Sequence, residues 1–521
     1  MSRRLFKSTL VAGSMTFISR ISGLVRDILF ARLIGAGTGV AADAFYVAFR
    51  IPNFLRRIFG EGAFSQAFVP VLAEYQHQRP NETRILIARV TGALALVLLI
   101  VTVIGTLTAP WVVMALAPGF ADEPTKFGLT VGMLQIMFPY LLFISLVALA
   151  GGVLNTYGRF AVPAFTPVLL NACLIVAAAV VAPRLEQPVL ALAWGVFFAG
   201  LVQLIFQFPS LARLRLLVRP QVQFDDPGVR RVGRLMIPGI FSVSIAQINL
   251  LVNTVLASFL ITGSVSWLYY ADRLMEFPLG VFAVALGTVI LPALSQKHAK
   301  ASKEEFSRTL DWSLRLGLIV SVPAMVGLVV LAQPLLITLF QYGAFTPADA
   351  RMTAAALVAF AVGMPGFVLV KILAPGFYAR QEMRTPVRVG VIAMVANIVA
   401  SLVLIKPLGH VGLAAATSVA GILNALLLYV GLRRANVYTP AQGWPRLWVQ
   451  VGLAALVMGA LLWWDGHDAT AWLGADVAGR VTRLAFWVIA GIITYVVLLW
   501  LFGVRWRKVL SSQQQQSRQE Q

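Results

Sequence analysis

Long uninterrupted apolar segments recur along the whole chain, and their length constrains the fold more than any other feature. Each is about 20 residues or more, the length that an α-helix needs to cross a hydrocarbon core roughly 30 Å thick. A closed β-barrel also spans lipid, but its strands alternate apolar and polar residues over about ten positions. Runs such as 92–104 and 487–501 do not alternate, so the sequence predicts an all-α polytopic membrane protein. About fourteen transmembrane helices are predicted, at residues 8–34, 40–73, 86–117, 127–155, 162–183, 188–213, 232–260, 266–295, 310–338, 352–378, 386–407, 411–432, 446–464 and 484–503.

The composition excludes most soluble classes of protein. Hydrophobic residues make up 59% and charged residues 12% of the 521 residues, with a mean hydropathy of +0.83, whereas soluble domains carry about 25% charged residues. The single cysteine, Cys173, excludes an intramolecular disulfide, and four scattered histidines cannot form a histidine-rich zinc site. We therefore predict neither a metal site nor a cofactor.

The net charge of +21 describes membrane topology rather than a nucleic-acid surface. Lys and Arg lie mainly in short loops between the apolar segments, and loops rich in them stay on the cytoplasmic side. We therefore predict no nucleic-acid partner and place both termini in the cytoplasm. Because Arg20 interrupts the first apolar segment, residues 8–34 are predicted to be a retained helix rather than a signal peptide. The polar residues 506–521 are predicted to be a disordered cytoplasmic tail.

The chain repeats itself at a spacing of about 220 residues. Arg50 and Arg273 are 223 residues apart, as are Phe59 and Phe282, and the matches continue in order to Thr166 and Thr385, 219 apart. We predict two lobes of six helices with the same orientation, related by a pseudo-two-fold axis along the membrane normal. These are residues 1–222 and 223–440, followed by a pair of extra helices in 441–505. Such duplication is typical of secondary transporters, although it could also build a larger membrane scaffold.

Charged residues inside the predicted membrane helices favour a transporter over a scaffold. Each charge at a helix centre costs about 2.5 to 3.5 kcal/mol on insertion scales, so these groups must face water or one another. Asp43, Arg50 and Arg57 recur every seven residues and share one helix face within about 40°. The first two helices carry Arg20, Arg26, Asp27, Arg32, Asp43, Arg50, Arg56, Arg57 and Glu61, and the second lobe offers Asp272, Arg273, Glu276 and Lys371.

Arginine dominates this set of charges. It cannot lose its proton and it binds phosphate bidentately, so a cavity lined with arginine predicts an anionic cargo that bears phosphate. The alternative is that some of these arginines extend to the membrane interface or pair structurally with Asp27, Asp43 and Glu61.

Five long motifs along the chain are specific enough to indicate a family. They are SRISGLVRD (19–27), ADAFYVAFRIPNFLRRIFGEGAFSQAFVPVLAEY (42–75), APGFADEPTKF (117–127), GSVSWLYYADRLMEFPLGVFAVALGTVILP (263–292) and VKILAPGFYARQEMRTPV (370–387). They resemble the MurJ/MviN-type lipid II flippases of the multidrug/oligosaccharidyl-lipid/polysaccharide exporter superfamily, in particular their proteobacterial branch. The resemblance covers essentially the whole chain.

The resemblance implies a transporter, not an enzyme. It implies export of undecaprenyl-pyrophosphate-linked disaccharide-pentapeptide (lipid II) from the inner to the outer leaflet of the bacterial cytoplasmic membrane, by alternating access, with cell-wall synthesis proteins as possible partners. It further implies that helices thirteen and fourteen hold the prenyl tail. By the same resemblance, the substrate-binding candidates are Arg20, Arg26, Arg56 and Arg273, with Asp43, Arg57 and Glu276 in the same motifs.

One departure from the family concerns the coupling ion. Some members have acidic sodium ligands in the seventh helix, but residues 232–260 contain no Asp or Glu. Membrane potential or protons are therefore the preferred hypothesis for coupling.

Other functions remain open from the residues alone. They include a flippase for another polyprenyl-linked oligosaccharide, a multidrug exporter of the same superfamily, and a membrane glycosyltransferase. The acidic pair Asp225 and Asp226, which an enzyme could use, is interpreted as a solvated turn.

Overall fold

A computed structural model of the protein describes residues 3–37, 39–57, 63–299 and 302–504. Every regular element within these ranges is helical, as predicted. Short 3₁₀ or π segments at Pro118–Asp122, Ala177–Val181 and Ala182–Arg184 connect or extend the α-helices. The α-helices are α1 (Arg3–Ile34), α2 (Val40–Arg56), α3 (Ala63–Gln78), α4 (Thr83–Leu107), α5 (Ala109–Leu116), α6 (Pro124–Met137), α7 (Tyr140–Thr156), α8 (Ala161–Val176), α9 (Pro188–Arg213), α10 (Pro227–Ser258), α11 (Ser264–Ala299), α12 (Lys303–Val330), α13 (Ala332–Leu339), α14 (Pro347–Val362), α15 (Met364–Tyr378), α16 (Arg384–Leu408), α17 (His410–Arg434), α18 (Trp444–Gly466), α19 (Ala469–Leu473) and α20 (Val477–Leu501).

Proline begins many of these helices. Pro188, Pro227 and Pro445 occupy the first or second helical position, where the missing N–H has no partner to lose and the fixed φ suits the helix. At α10 the start is reinforced by the Asp226 side chain, which accepts hydrogen bonds from the backbone N–H groups of Gly228 (2.8 Å) and Val229 (3.1 Å). Sequence therefore marks the helix starts locally, through proline and capping side chains.

The acidic pair before α10 has a structural role that the sequence did not reveal. Asp225 is exposed, as predicted, and pairs with Arg230. Asp226 is buried, caps α10 and pairs with Arg89 of α4. The expectation of a fully solvated turn is therefore wrong for Asp226, because the turn packs against α4.

Membrane-spanning length and hydropathy confirm a polytopic membrane protein. Within the described ranges, ten helices or continuous helix pairs are long and apolar enough to cross a bilayer. The other long helical segments are α1, α2 with α3, α10 and α11, and they match the four remaining predicted spans. Two of these four segments, α1 and α2 with α3, carry most of the charges discussed above.

The internal repeat is visible in the helix boundaries. The short helices α5 and α13 begin at residues 109 and 332, and α8 and α16 begin at 161 and 384, a constant offset of 223. Even the interruptions recur: α4 gives way to α5 at Thr108, and α12 gives way to α13 at Leu331.

The helices form two compact units. Unit 1 comprises Met1–Ser266 with Tyr342–Thr346, and unit 2 comprises Trp267–Gln341 with Pro347–Gln521. Helix α10 belongs to unit 1, where it packs mainly on α3. From the internal repeat, the sequence predicts lobes at 1–222 and 223–440 and a separate segment 441–505. This division stays a prediction. The predicted tail 506–521 lies outside the described residues.

In unit 2, α18 and α20 pack together and against α12. Their shared core contains Ile319 of α12, Val451 and Met458 of α18, and Tyr495 and Leu499 of α20. The outer faces carry large exposed apolar side chains, including Trp448, Leu456, Trp464, Ile489 and Ile492. Exposed apolar faces of this kind suit contact with lipid.

Candidate functional site

Arg26 and Asp27 form a buried ion pair near the middle of α1. The Arg26 Nη2 and Nε atoms lie 2.7 and 3.0 Å from Asp27 Oδ1, and the two side chains are only 6% and 3% exposed. A buried charge in a membrane helix needs such a partner. Arg26 is therefore already engaged within unit 1.

Asn171 of α8 holds this pair in place. Its Oδ1 accepts a hydrogen bond from Arg26 Nη1 at 3.0 Å, while its Nδ2 donates to Ser19 O at 2.9 Å and Ser22 Oγ at 3.0 Å. The oxygen and the nitrogen of this one side-chain amide thus connect α8 to α1 at the level of the ion pair. The orientation of Arg26 is fixed from two sides.

Alanine at Asn171 is expected to loosen α1 and destabilise the protein by about 1 to 3 kcal/mol, because buried donors and acceptors would lose their partner. Thermal unfolding of the purified protein in lipid nanodiscs measures this loss of stability. The matched control is Gln135→Ala, since Gln135 is exposed and donates a hydrogen bond to Thr106 O at 3.3 Å. Equal unfolding temperatures for both variants would show that Asn171 has no such role.

The arginines of α2 reach toward α10. Arg57 Nη1 donates to Gln247 Oε1 at 3.1 Å, and Arg50 Nη1 donates to Leu250 O at 3.2 Å and to Thr254 Oγ1. These acceptors are neutral oxygens, and they orient the two guanidinium groups toward α10.

Arg56 and Arg20 complete the cationic set of unit 1. Arg56 is half-buried and donates to Asn53 Oδ1, one turn earlier in its own helix, at 2.9 Å. Arg20 is half-buried in α1, and the described part of the chain offers it no hydrogen bond or ion pair. Arg20 is therefore available to bind an anion.

Asp43 lies at the opposite end of α2 and is fully engaged. Its carboxylate accepts hydrogen bonds from the backbone N–H groups of Gly263 (2.8 Å) and Ser266 (2.9 Å) and from Ser266 Oγ (2.6 Å) at the start of α11. Lys126 Nζ lies 3.4 Å from Asp43 Oδ2, and both side chains are 2% exposed. Lys126 also donates to Thr262 Oγ1 at 3.2 Å and lies 4.3 Å from the centre of the Phe120 ring. We call this set of residues the Asp43 junction.

Arg273 and Glu276 belong to unit 2, in α11. Arg273 Nη1 lies 3.4 Å from Glu276 Oε2, and the two side chains are 36% and 47% exposed. The guanidinium also lies 6.0 Å from the centre of the Tyr269 ring. This pair is open to solvent, unlike Arg26 with Asp27.

Sequence reasoning missed several polar partners in this site. Lys126 lies inside the motif APGFADEPTKF, but the sequence does not show which carboxylate it pairs with. Asn171 and Gln247 are uncharged, so the search for charged residues in the helices did not select them. A polar residue within an apolar helix was the available signal for Asn171. Glu61, which the sequence placed on the face of Arg57, lies outside the described residues.

The surplus of positive charge is the main chemical property of this region. Within the described parts of α1 and α2, Asp27 compensates Arg26 and Lys126 compensates Asp43. These two helices and the residue after α2 also carry Arg20, Arg50, Arg56 and Arg57, so arginines outnumber carboxylates here. Several guanidinium groups on adjacent helices are suited to binding phosphate oxygens bidentately.

Comparison with known structures first defines the class of protein. A structure described as an inward-facing conformation of a multidrug resistance MATE family transporter of the MOP superfamily matches with a TM-score of 0.66 and 15% identity, covering 82% of this chain and 98% of that chain. This likeness shows the fold alone, which is that of a multi-pass membrane protein.

The family follows from closer matches. The chain belongs to the family described as Lipid II flippase MurJ, which it matches over residues 30–481. It is 49% identical over 513 residues to a protein of Vibrio cholerae serotype O1 named "Probable lipid II flippase MurJ", covering 97% of each chain. A structure described as Lipid II flippase MurJ in an inward closed conformation matches with a TM-score of 0.79 and 26% identity, covering 96% of this chain and 99% of that chain. The family predicted from the sequence motifs is confirmed.

Proposed function

We propose that this protein is a lipid II flippase, a transporter that moves lipid-linked peptidoglycan precursor from the inner to the outer leaflet of the bacterial cytoplasmic membrane. Membership of the MurJ family and the names of its relatives support this function. The observation in the molecule that carries it is the surplus of arginine on α1 and α2, inside membrane-spanning segments. A transporter of neutral or cationic cargo has no use for such a surplus.

The chemistry of the cargo explains why guanidinium groups are needed. Lipid II carries a pyrophosphate between a sugar headgroup and a prenyl chain, and the charged part cannot cross hydrocarbon without compensation. Arginine supplies permanent charge and paired donors that match phosphate oxygens. The prenyl chain can remain in lipid throughout.

The individual residues are assigned different roles in this proposal. We propose Arg20, Arg56 and Arg57 of unit 1 as substrate-binding residues, and likewise Arg273 and Glu276 of unit 2. Their partial exposure supports this assignment.

Arg26 and Asp43 have fewer bonds left to offer a cargo. Arg26 is held by Asp27 and Asn171, and Asp43 by the start of α11 and Lys126. We propose that Arg26, paired with Asp27, fixes α1 to α8 through Asn171 rather than touching the cargo. We propose that Asp43 fixes the start of α11 rather than touching the cargo.

The helices α18 and α20 are proposed to guide the prenyl tail. Their exposed apolar side chains offer a surface on which a hydrocarbon chain can lie without losing contact with lipid.

Both termini are proposed to face the cytoplasm, and the cell-wall synthesis proteins that use the cargo are proposed partners on the opposite side.

Depletion of the native copy in cells tests the function directly. We expect lipid-linked precursor to accumulate on the inner leaflet, and wild-type protein to restore its appearance at the outer surface. Arg20→Ala and Arg273→Ala should not restore it at equal expression. The control is Arg79→Ala, whose side chain is 60% exposed in an ion pair with Glu82. Normal precursor distribution after depletion would contradict the function, and full rescue by both variants would contradict the site.

A further inference from the structure

A carboxylate in α12 accepts hydrogen bonds from the segment that leads into α18. Asp311 Oδ1 accepts hydrogen bonds from Tyr438 Oη (2.7 Å), Trp444 Nε1 (2.8 Å) and the backbone N–H of Ala441 (3.1 Å). Its Oδ2 accepts from Arg315 Nε at 2.7 Å, and Asp311 is only 4% exposed. Four donors from two segments thus converge on one buried side chain, which we call the Asp311 clamp.

Arg315 extends the clamp to the start of α18. It donates to Gln442 O at 2.8 Å and lies 5.1 Å from the centre of the Trp444 ring. Burial, followed by the hydrogen bond to Asp311, raises the pKa of the Tyr438 phenol, so this group remains a donor at physiological pH. The connection between α17 and α18 is therefore fixed to α12.

A second set of polar contacts fixes the opposite end of the helix pair. Arg480, at the start of α20, is 8% exposed and donates to Gln341 Oε1 at 2.9 Å, just beyond α13. It also donates to Leu473 O at 2.8 Å and Ala475 O at 3.0 Å. Between the two ends, Tyr495 Oη of α20 donates to Ile319 O of α12 at 2.8 Å.

The helix pair depends on these contacts because it is attached along one edge. Apart from each other and α19, α18 and α20 pack principally on α12 and α13. In lipid no hydrophobic effect drives helices together, so packing and interhelical hydrogen bonds decide whether they stay associated. Breaking the clamp would leave several buried donors without an acceptor.

We propose that Asp311 is a positioning residue that fastens α18 and α20 to unit 2, so that the helix pair moves with α12 during transport and not as a separate element. The inference rests on the proposed function, because it concerns how the surface assigned to the prenyl tail follows the transport cycle. It requires no contact between Asp311 and the cargo.

A disulfide between α12 and α18 tests the joint movement. A Cβ placed on Gly459 would lie 2.8 Å from Val326 Cγ1, and Cγ1 is one bond from Val326 Cβ, so the two Cβ atoms lie no farther apart than the roughly 4.5 Å limit of a disulfide. Val326→Cys with Gly459→Cys is made in a Cys173→Ala background, which removes the single native cysteine. We expect the oxidised protein to flip labelled lipid II within about twofold of the reduced protein. Flipping that stops on oxidation and returns on reduction would overturn the proposal.

Loss of the clamp tests the role of Asp311 itself. We expect Asp311→Ala to lower the flipping rate about tenfold, because four hydrogen bonds to a buried carboxylate are lost. Asp311→Asn keeps the Oδ1 acceptor and should retain most of the rate. The matched control is Glu304→Ala, which removes an exposed carboxylate of the same helix paired with Arg308.

Rescue by the disulfide separates positioning from folding. In Asp311→Ala carrying the two cysteines, oxidation of the assembled protein should restore flipping, and reduction should remove it again. A wild-type rate in Asp311→Ala, or a loss that oxidation does not restore at equal protein level, would overturn the role of Asp311.

The rate of disulfide formation is a readout that needs no cargo. We expect Asp311→Ala to slow cross-linking about tenfold in membranes, since the helix pair would spend less time docked. An unchanged cross-linking rate would overturn the clamp. If the reduced protein does not flip lipid II at all, the proposed function fails while the cross-linking rate still decides whether the clamp exists.

Discussion

Replacement of Arg20 by alanine is expected to lower the rate of lipid II flipping by at least about tenfold while leaving the fold intact. A hydrogen bond between charged groups contributes about 1.5 to 3 kcal/mol, and Arg20 would supply a bidentate one to phosphate. Within the described residues Arg20 has no partner that alanine would leave unpaired. Removing a charge from a membrane helix also favours insertion by a few kcal/mol. The flipping rate should therefore fall, whereas the unfolding temperature measured on the same preparation should not.

Arg26→Ala provides the contrasting control for Arg20. Its removal leaves Asp27 buried without its cation, which typically destabilises a protein by about 3 to 5 kcal/mol. We expect this variant to lose both stability and flipping. Arg20→Lys should fall between wild type and Arg20→Ala, because lysine keeps the charge but not the planar pair of donors. Wild-type flipping by Arg20→Ala would remove Arg20 from the binding site.

Replacement of Lys126 by methionine is expected to produce a large loss of stability. Asp43 would remain buried with three hydrogen bonds but no cation, at a cost of about 3 to 5 kcal/mol. The double variant Asp43→Asn with Lys126→Met removes both charges and keeps an amide oxygen for the start of α11. Its stability should recover most of that loss. Thermal unfolding of the two single variants and the double variant gives the coupling energy between the residues.

Glu123→Gln serves as the control for the Asp43 junction. Glu123 lies 4.0 Å from Lys126 Nζ, but its side chain is 48% exposed. An exposed pair contributes about 0 to 1 kcal/mol, so the variant should unfold close to wild type. Additive losses in the double variant, with no recovery, would show that Lys126 does not stabilise Asp43.

The sequence predicts the helices well because their signal is local. Apolar length, proline at helix starts and the repeat spacing each lie within one segment, and the structure places its helices accordingly.

The partners of the charged residues could not be predicted in the same way. Helical periodicity gives the face on which Arg26 lies, but Asn171 is 145 residues away and Lys126 is 83 residues from Asp43. Which helices become neighbours depends on tertiary packing, and the local patterns of one sequence do not identify those neighbours. For the same reason, the sequence grouped Asp43 with the substrate-binding candidates, although its bonds favour a role in holding α11.

The one-sided attachment of α18 and α20 leaves the rest of unit 2 independent of this helix pair. A structure of the same fold matches 82% of this chain while 98% of its own length is covered, so the fold can exist with less sequence than is found here. A hairpin docked along a single edge can be changed in length or composition without repacking the interior of unit 2.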